Sequence, residues 1–247
     1  MKLLIVNPNI SENVSDLIAA EARRAASKEV EIDVLTAPFG VAYIETRCEA
    51  AVGAYAVLTM LAEHYQGYDA VVIAAFGDPG LMAAKEMLPM PVVGLTEGAL
   101  SSAASLGARF SIVAISRRIR AWYRETVEMH GLHGRLASIR CLEDAPGDIG
   151  GIQADKAEQL VALCNAAVQQ DDADAIVIAG APLAGLARSI AGRIPVPVVD
   201  GVASAVRHAE TLAALATRPA TLGSYAPPPQ KDWKGLPLPL AKLIGRS

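Results

Sequence analysis

The chain has 247 residues, 52% of them hydrophobic, with 22 basic and 26 acidic side chains and a formal net charge of −4. That length suffices for one large α/β domain or two small lobes with a sizeable core. Near-balanced charge without a basic block argues against a nucleic-acid surface and for small-molecule partners. Mean hydropathy is positive, yet apolar runs such as 70–76 fall far short of the roughly 18 residues that cross a bilayer, so no membrane partner is expected.

The first apolar run, 3–6, reads as a buried strand preceded by a single basic residue, Lys2, and ended by a polar turn, Asn7-Pro8-Asn9. No secretory leader is expected there, and a cytoplasmic location follows by default. A helix over 11–27 and a strand over 30–35 come next. The best-marked helix, 46–66, opens on a capping box formed by Thr46 and Glu49 and stops at Gly67. Strands at 70–75, 92–93, 110–115, 138–142, 175–179 and 198–199 then alternate with helices near 98–106, 117–130, 153–170 and 202–216. Such alternation predicts parallel sheets flanked by helices, an α/β fold. From Leu222 the chain turns Pro-rich, but Trp233, Leu236, Leu238 and Leu243 predict an extension packed on the body or on a neighbouring subunit rather than a free tail.

Two stretches read as one strand and turn written twice: 69–81 (DAVVIAAFGDPGL) and 174–186 (DAIVIAGAPLAGL). Pro91-Val92-Val93-Gly94 likewise recurs as Pro197-Val198-Val199-Asp200, and 4–6 matches 112–114, which sets Asn9 opposite Ser116. Two pseudo-symmetric lobes follow: residues 1–107 plus part of 197–221, and residues 108–196, with 222–247 as an extension. In parallel sheets ligands collect at the carboxyl ends of strands. Asn9, Ala75 to Asp78, Ser116 and Gly180 to Pro182 are therefore expected at one interlobe cleft. Three cysteines, Cys48, Cys141 and Cys164, show no short metal-type spacing, so neither a disulfide framework nor a metal site is indicated.

Asn7-Pro8-Asn9, Ile44-Glu45 before the capped helix, Phe76-Gly77-Asp78-Pro79-Gly80 and Asp200-Gly201-Val202 together resemble the hydantoin and allantoin racemase branch of the aspartate/glutamate racemase superfamily. The resemblance spans nearly the whole chain. It implies a cofactor-independent site in which two thiols face one small substrate, one removing a proton from the stereogenic carbon and the other returning one to the opposite face. The matching positions here are Ala75 and Gly180, neither of which is an acid, a base or a nucleophile.

The chemistry then falls to neighbours. Asp78 reads either as a base or as a cap for the next helix, and Glu45 as a group that orients water or meets a ring N–H, or as support for a helix dipole. Asn9 and Ser116 suit neutral polar recognition, with local turn capping as the other use. Ala75, Phe76, Gly77, Gly180, Ala181 and Pro182 are expected to line the substrate, the two turns offering backbone N–H groups as an oxyanion cradle. Cys48, in a helix's first turn, is a conceivable relocated nucleophile, whereas Cys141 and Cys164 read as core residues. One of Arg117, Arg118, Arg120 and Arg124 is placed to meet a carboxylate, Trp122 and Tyr123 to pack, and His64, His130, His133, His208 and Glu97 to sit at helix ends or faces.

Three functions stay open. The first is an enzyme that has left thiol racemisation for hydrolytic or lyase chemistry on a hydantoin, thiohydantoin or ureide ring or a related carboxylate, such as desulfurisation, with Glu45 or Asp78 as base. The second is a hydantoin or allantoin racemase using nonstandard bases, and the third a noncatalytic small-molecule binding protein. A homo-oligomer is expected.

Overall fold

The computed structural model describes residues 1–143, 151–216 and 218–245. The first half runs β1 (Lys2–Asn7), α1 (Glu12–Ala25), β2 (Glu31–Thr36), α2 (Arg47–His64), β3 (Ala70–Ile73), α3 (Leu81–Met87), β4 (Val92–Gly94) and α4 (Leu95–Leu106). The second runs β5 (Phe110–Ala114), α5 (Arg120–Met129), β6 (Leu136–Cys141), α6 (Ile152–Asp171), β7 (Ala175–Ala179), α7 (Leu186–Ile190), β8 (Val198–Asp200) and α8 (Gly201–Ala214), with α9 (Leu238–Ile244) in the extension.

The strands form two four-stranded parallel sheets, ordered β2-β1-β3-β4 and β6-β5-β7-β8. This is one topology used twice, as the repeated sequence predicts. The central strands are covered on both faces, which is why β3 and β7 are apolar throughout rather than alternating. β5 pairs β6 with a register shift after Phe110.

The lobes join through the helices that follow their last strands. α4 packs against α8 and reaches β7, while α8 leans on β3 and β4. Of the segment 197–221, the strand thus lies in the second sheet and the helix on the first. Gly98 makes the close approach possible: a Cβ there would lie 2.8 Å from the Ala205 backbone. One apolar cluster runs from Leu3 and Val72 through Leu95 and Leu100 to Ile112, Tyr123, Val177 and Val206, so the two lobes share a core. Two further clusters lie on the outer faces, one under α2, α3 and α9 and one under α6 and α7.

Three helices escaped the sequence pattern. α3 and α7 are short and start after glycines in the left-handed region, Gly80 and Gly185, with no side-chain cap to announce them. α9 opens at Pro237 and buries Leu240 and Leu243 against the α2 layer. Leu236 packs there in part, whereas Leu238 and Trp233 stay exposed. Leu238 is on the opposite side of a helix that has only one face to bury.

Candidate active site

The turns at the carboxyl ends of the strands are built before any ligand chemistry begins. Asn9 Oδ1 accepts from Asn7 Nδ2 and the Ser11 N–H, and the Asn9 N–H donates to Asn7 Oδ1. Asn7 Nδ2 also reaches Ser15 Oγ, so an Asx turn and the start of α1 are tied together. Ser116 Oγ accepts from the Arg118 N–H. Both residues are buried, and each spends one acceptor on its own turn.

The turn after β3 is fixed from three sides. The Asp78 N–H donates to the Ala75 carbonyl and the Gly77 N–H to Thr96 Oγ1 at 2.6 Å. Gly77 sits at φ +103° against Trp122, leaving no room for a Cβ. The Phe76 ring packs on Tyr123 of α5, with centroids 4.6 Å apart, so this first-lobe turn is locked onto the second lobe. Ala75 and Phe76 are both buried.

Asp78 does not cap α3, the helix that follows it. Its two carboxylate oxygens accept the Thr96 and Glu97 N–H groups, each at 2.8 Å, so it caps α4 eighteen residues away. Gly94, the residue preceding α4, has no side chain of its own, and the Asp78 carboxylate fills the place where one would lie. Sequence reasoning started this helix at 98 because the cap comes from elsewhere in the fold. His130 Nε2 stands 3.4 Å from Asp78 Oδ2, an electrostatic contact rather than an aligned hydrogen bond. Burial raises the Asp78 carboxyl above its ordinary range, opposed by His130 and the two backbone donors. A fully enclosed group with both oxygens engaged is a structural anchor rather than a free base.

After β7, Gly180 takes φ +112° and ψ 133°, and Ala181 to Leu183 form a single 3-10 turn. Gln153 Nε2 donates to the Pro182 and Ala184 carbonyls, and the Gly185 N–H donates to Asp200 Oδ2. Gly180, Ala181 and Pro182 are buried. The helix α1 packs against Ala181 to Leu183.

Glu45 lies in the loop between β2 and α2, where Glu49 Oε2 accepts the Glu45 and Thr46 N–H groups and Thr46 closes the capping box. Its half-buried carboxylate bears electrostatically on Tyr43 and Tyr123. The Tyr43 hydroxyl is buried and finds no partner among the described residues. Burial, then Glu45, Cys141 and Glu49, push this phenol well above its ordinary value. Tyr123 is raised by burial first and then by Tyr43, Cys141, Asp78 and Glu45. Burial also raises the Cys141 thiol, against the opposing pull of the neighbouring Arg120. These groups bear on one another electrostatically, although Tyr43 packs against the cluster beneath α6 and α7 while Tyr123 and Cys141 belong to the shared core.

Sequence reasoning took Cys141 for core, as the structure places it, and did not single out Tyr43. No local pattern marks Tyr43, because the cluster it packs against belongs to the second lobe. Among the remaining candidates, Cys48 is exposed on α2, Glu97 pairs with Lys85, and His208 lies beside Ser102. Arg117 pairs with Glu143 at the surface.

A cavity of about 430 Å³ opens between the lobes, lined by Arg47 and Ala54 of α2, Gly77 to Ala83, and Trp122 and Met129 of α5. It reaches Gly77 and Asp78 but not Asn9, Ala75, Ser116 or Gly180. Among the described residues no group of three or more His, Cys, Asp or Glu is arranged to hold a metal ion, and no helix is long and apolar enough to cross a membrane.

The model of the Asp/Glu/Hydantoin racemase family matches residues 3–209. A hydantoin racemase of Paenarthrobacter aurescens is 34% identical over 235 residues, covering 94% of this chain and all of the relative. The allantoin racemase structure from Klebsiella pneumoniae superposes with a TM-score of 0.92 at 33% identity, covering 98% of this chain and 99% of the other. That of Pseudomonas fluorescens gives 0.90 at 34% identity, covering 95% and 100%. With the family matched across both lobes and the twin-sheet topology in place, this chain belongs to the Asp/Glu/hydantoin racemase family.

Proposed function

We propose that the protein is a racemase of a hydantoin- or allantoin-like ring that exchanges the proton on the ring's stereogenic carbon without thiols at the two β3 and β7 turns. The reading is supported chiefly by similarity at about one third identity, over almost the whole chain, to proteins named as hydantoin and allantoin racemases. Hydrolytic, lyase or desulfurising chemistry finds no support in those relatives.

Glu45 supplies the base. Its carboxylate bears electrostatically on the Tyr43 and Tyr123 phenols, whereas Asp78 is consumed by α4. As the proton leaves, charge develops on the adjacent ring carbonyl as an enolate. The Tyr43 and Tyr123 phenols, held neutral by burial, are donors suited to that oxygen, and N–H groups of the turns at Ala75 and Gly180 supplement them. Access requires movement, since Asn9, Ala75 and Ser116 are 3%, 7% and 5% exposed.

The test is the change in optical rotation of single enantiomers of allantoin and of a 5-alkyl hydantoin. Catalysed racemisation is expected for one of them, falling by roughly 100-fold or more in Glu45→Gln. Full activity in that variant removes Glu45 from the role. The blank positions Ala75 and Gly180 favour a second reading, a binding protein that retains the cleft alone, which predicts ligand binding without racemisation.

A further inference from the structure

We propose that a second cavity, beneath the C-terminal extension, is a binding site for a free α-amino acid with an apolar side chain. Its volume of about 420 Å³ falls in the range of small-molecule sites, roughly 300–1,000 Å³. Val92, the first residue of β4, lines it, so it lies at the amino end of that strand. The turns of the interlobe site stand at the carboxyl ends, and an occupant here leaves them free.

The floor of the cavity belongs to the body of the first lobe and to α9. Met87, Leu88, Val92 and Leu243 form it, each at most 8% exposed. The roof is residues 218–221 with Tyr225 and Pro227, in a stretch without helix or strand. This roof is held lightly: the Tyr225 hydroxyl donates to Met82 Sδ at 2.9 Å, and a thioether is a weak acceptor. Pro89, Pro91, Pro219 and Pro227 all border the space. Proline has a fixed φ and no N–H, so the walls present apolar surface and few backbone donors.

Charge at the rim selects the ligand. Lys85, Glu86 and Arg218 border the cavity, and Lys85 is committed to Glu97. Glu86 and Arg218 have no ion-pair partner among the described residues, nor do they pair with each other. One carboxylate and one guanidinium, both unspent, complement a ligand that carries an ammonium and a carboxylate together. Arg218 takes the ligand carboxylate through its planar fork of donors, and Glu86 takes the ammonium.

A ligand with the anionic group alone meets Glu86 as a like charge, and one with the cationic group alone meets Arg218 in the same way. The zwitterion answers both, and its apolar side chain covers the floor. Met87 and Met90 make that floor adaptable, because an unbranched thioether fills irregular space and tolerates different shapes. A class of apolar amino acids is therefore accepted rather than one member.

The experiment titrates the full chain with L-leucine and L-phenylalanine, by calorimetry for affinity and by methyl NMR of the methionines for location. Saturable binding is expected with a dissociation constant below about 1 mM. The Met87 and Met90 methyl signals should shift, and that of Met129, which lines the interlobe cavity, should not. Isocaproate and isoamylamine, leucine without its ammonium and without its carboxylate, should each bind about tenfold more weakly or less well still. Glu86→Gln and Arg218→Gln should each weaken leucine by about tenfold. Arg218 is exposed and Glu86 half-buried, so both variants are expected to fold. Absence of saturation for both amino acids up to about 10 mM overturns the proposal. So do shifts at Met129 in place of Met87 and Met90, or isocaproate or isoamylamine binding as tightly as leucine. None of these readings depends on allantoin turnover, so the racemase reading stands or fails separately.

Discussion

Replacing Gly180 by cysteine puts back the side chain that the family resemblance leads one to expect, and the backbone opposes it. Gly180 sits at φ +112° and ψ 133°, a region that side-chain-bearing residues enter at a cost of about 1–3 kcal/mol. Space is not the obstacle: the nearest atom to an added Cβ is Pro182 Cδ at 3.7 Å. Losing a glycine also stiffens the unfolded chain and returns about 0.4–1 kcal/mol. The net cost is then roughly 1–2 kcal/mol, or a melting temperature lower by about 2–8 °C for a chain of this size. Gly180→Ala should fall by a similar amount, because it carries the same strain without a thiol. Ala75→Cys, where φ is not positive, should stay within about 1 kcal/mol of wild type if the cleft has room for sulfur. Differential scanning calorimetry of the three variants measures this directly. A Gly180→Ala protein that melts at or above the wild-type temperature refutes the argument that this turn's conformation excludes side chains.

Asp78→Asn replaces a carboxyl whose two oxygens accept two helix N–H groups by an amide that accepts only one of them, and should cost about 2 kcal/mol at pH 7 by urea unfolding. Because burial raises the folded-state pKa of Asp78, the native state holds that proton more tightly than the unfolded chain. The wild-type advantage should therefore grow as pH falls from neutral toward about 4; an advantage that shrinks on acidification contradicts the assignment. Tyr43→Phe removes a hydroxyl without a partner, so stability should hold or rise by up to about 1 kcal/mol while allantoin affinity measured by calorimetric titration falls roughly tenfold. A loss of stability on that substitution would mean the hydroxyl already has an acceptor.

The Asp78 result bears on how the family turn is read. Phe76-Gly77-Asp78-Pro79-Gly80 looks like a catalytic signature because it follows a strand whose carboxyl end faces a cleft. Here each member has a structural duty: Phe76 bridges to Tyr123, Gly77 admits Trp122, and Asp78 replaces the missing cap of α4. The turn can lose its reactive residue at 75 and keep its shape, because none of these duties depends on that side chain.

Local pattern carried the architecture. The eight apolar runs, the Thr46–Glu49 capping box and the twice-written strand and turn were enough to predict two parallel α/β lobes, because periodicity, caps and repeats act over a few residues and are written in order along the chain. The elements it lost, α3, α7, α9 and the first turn of α4, are those whose stability comes from packing or from a cap supplied at a distance. The same limit governs the site. Asn9, Ser116, Ala75 and Gly180 could be placed at strand ends from sequence alone, along with the absence of both expected thiols. That Asp78 is consumed by a helix eighteen residues away, that a Tyr43 hydroxyl is stranded in the interior, and that Cys141 rather than Cys48 or Cys164 faces the lobe junction were decided only by tertiary structure. Burial and charge at a side chain depend on which residues the other lobe brings to it, and no spacing along one strand or helix encodes that.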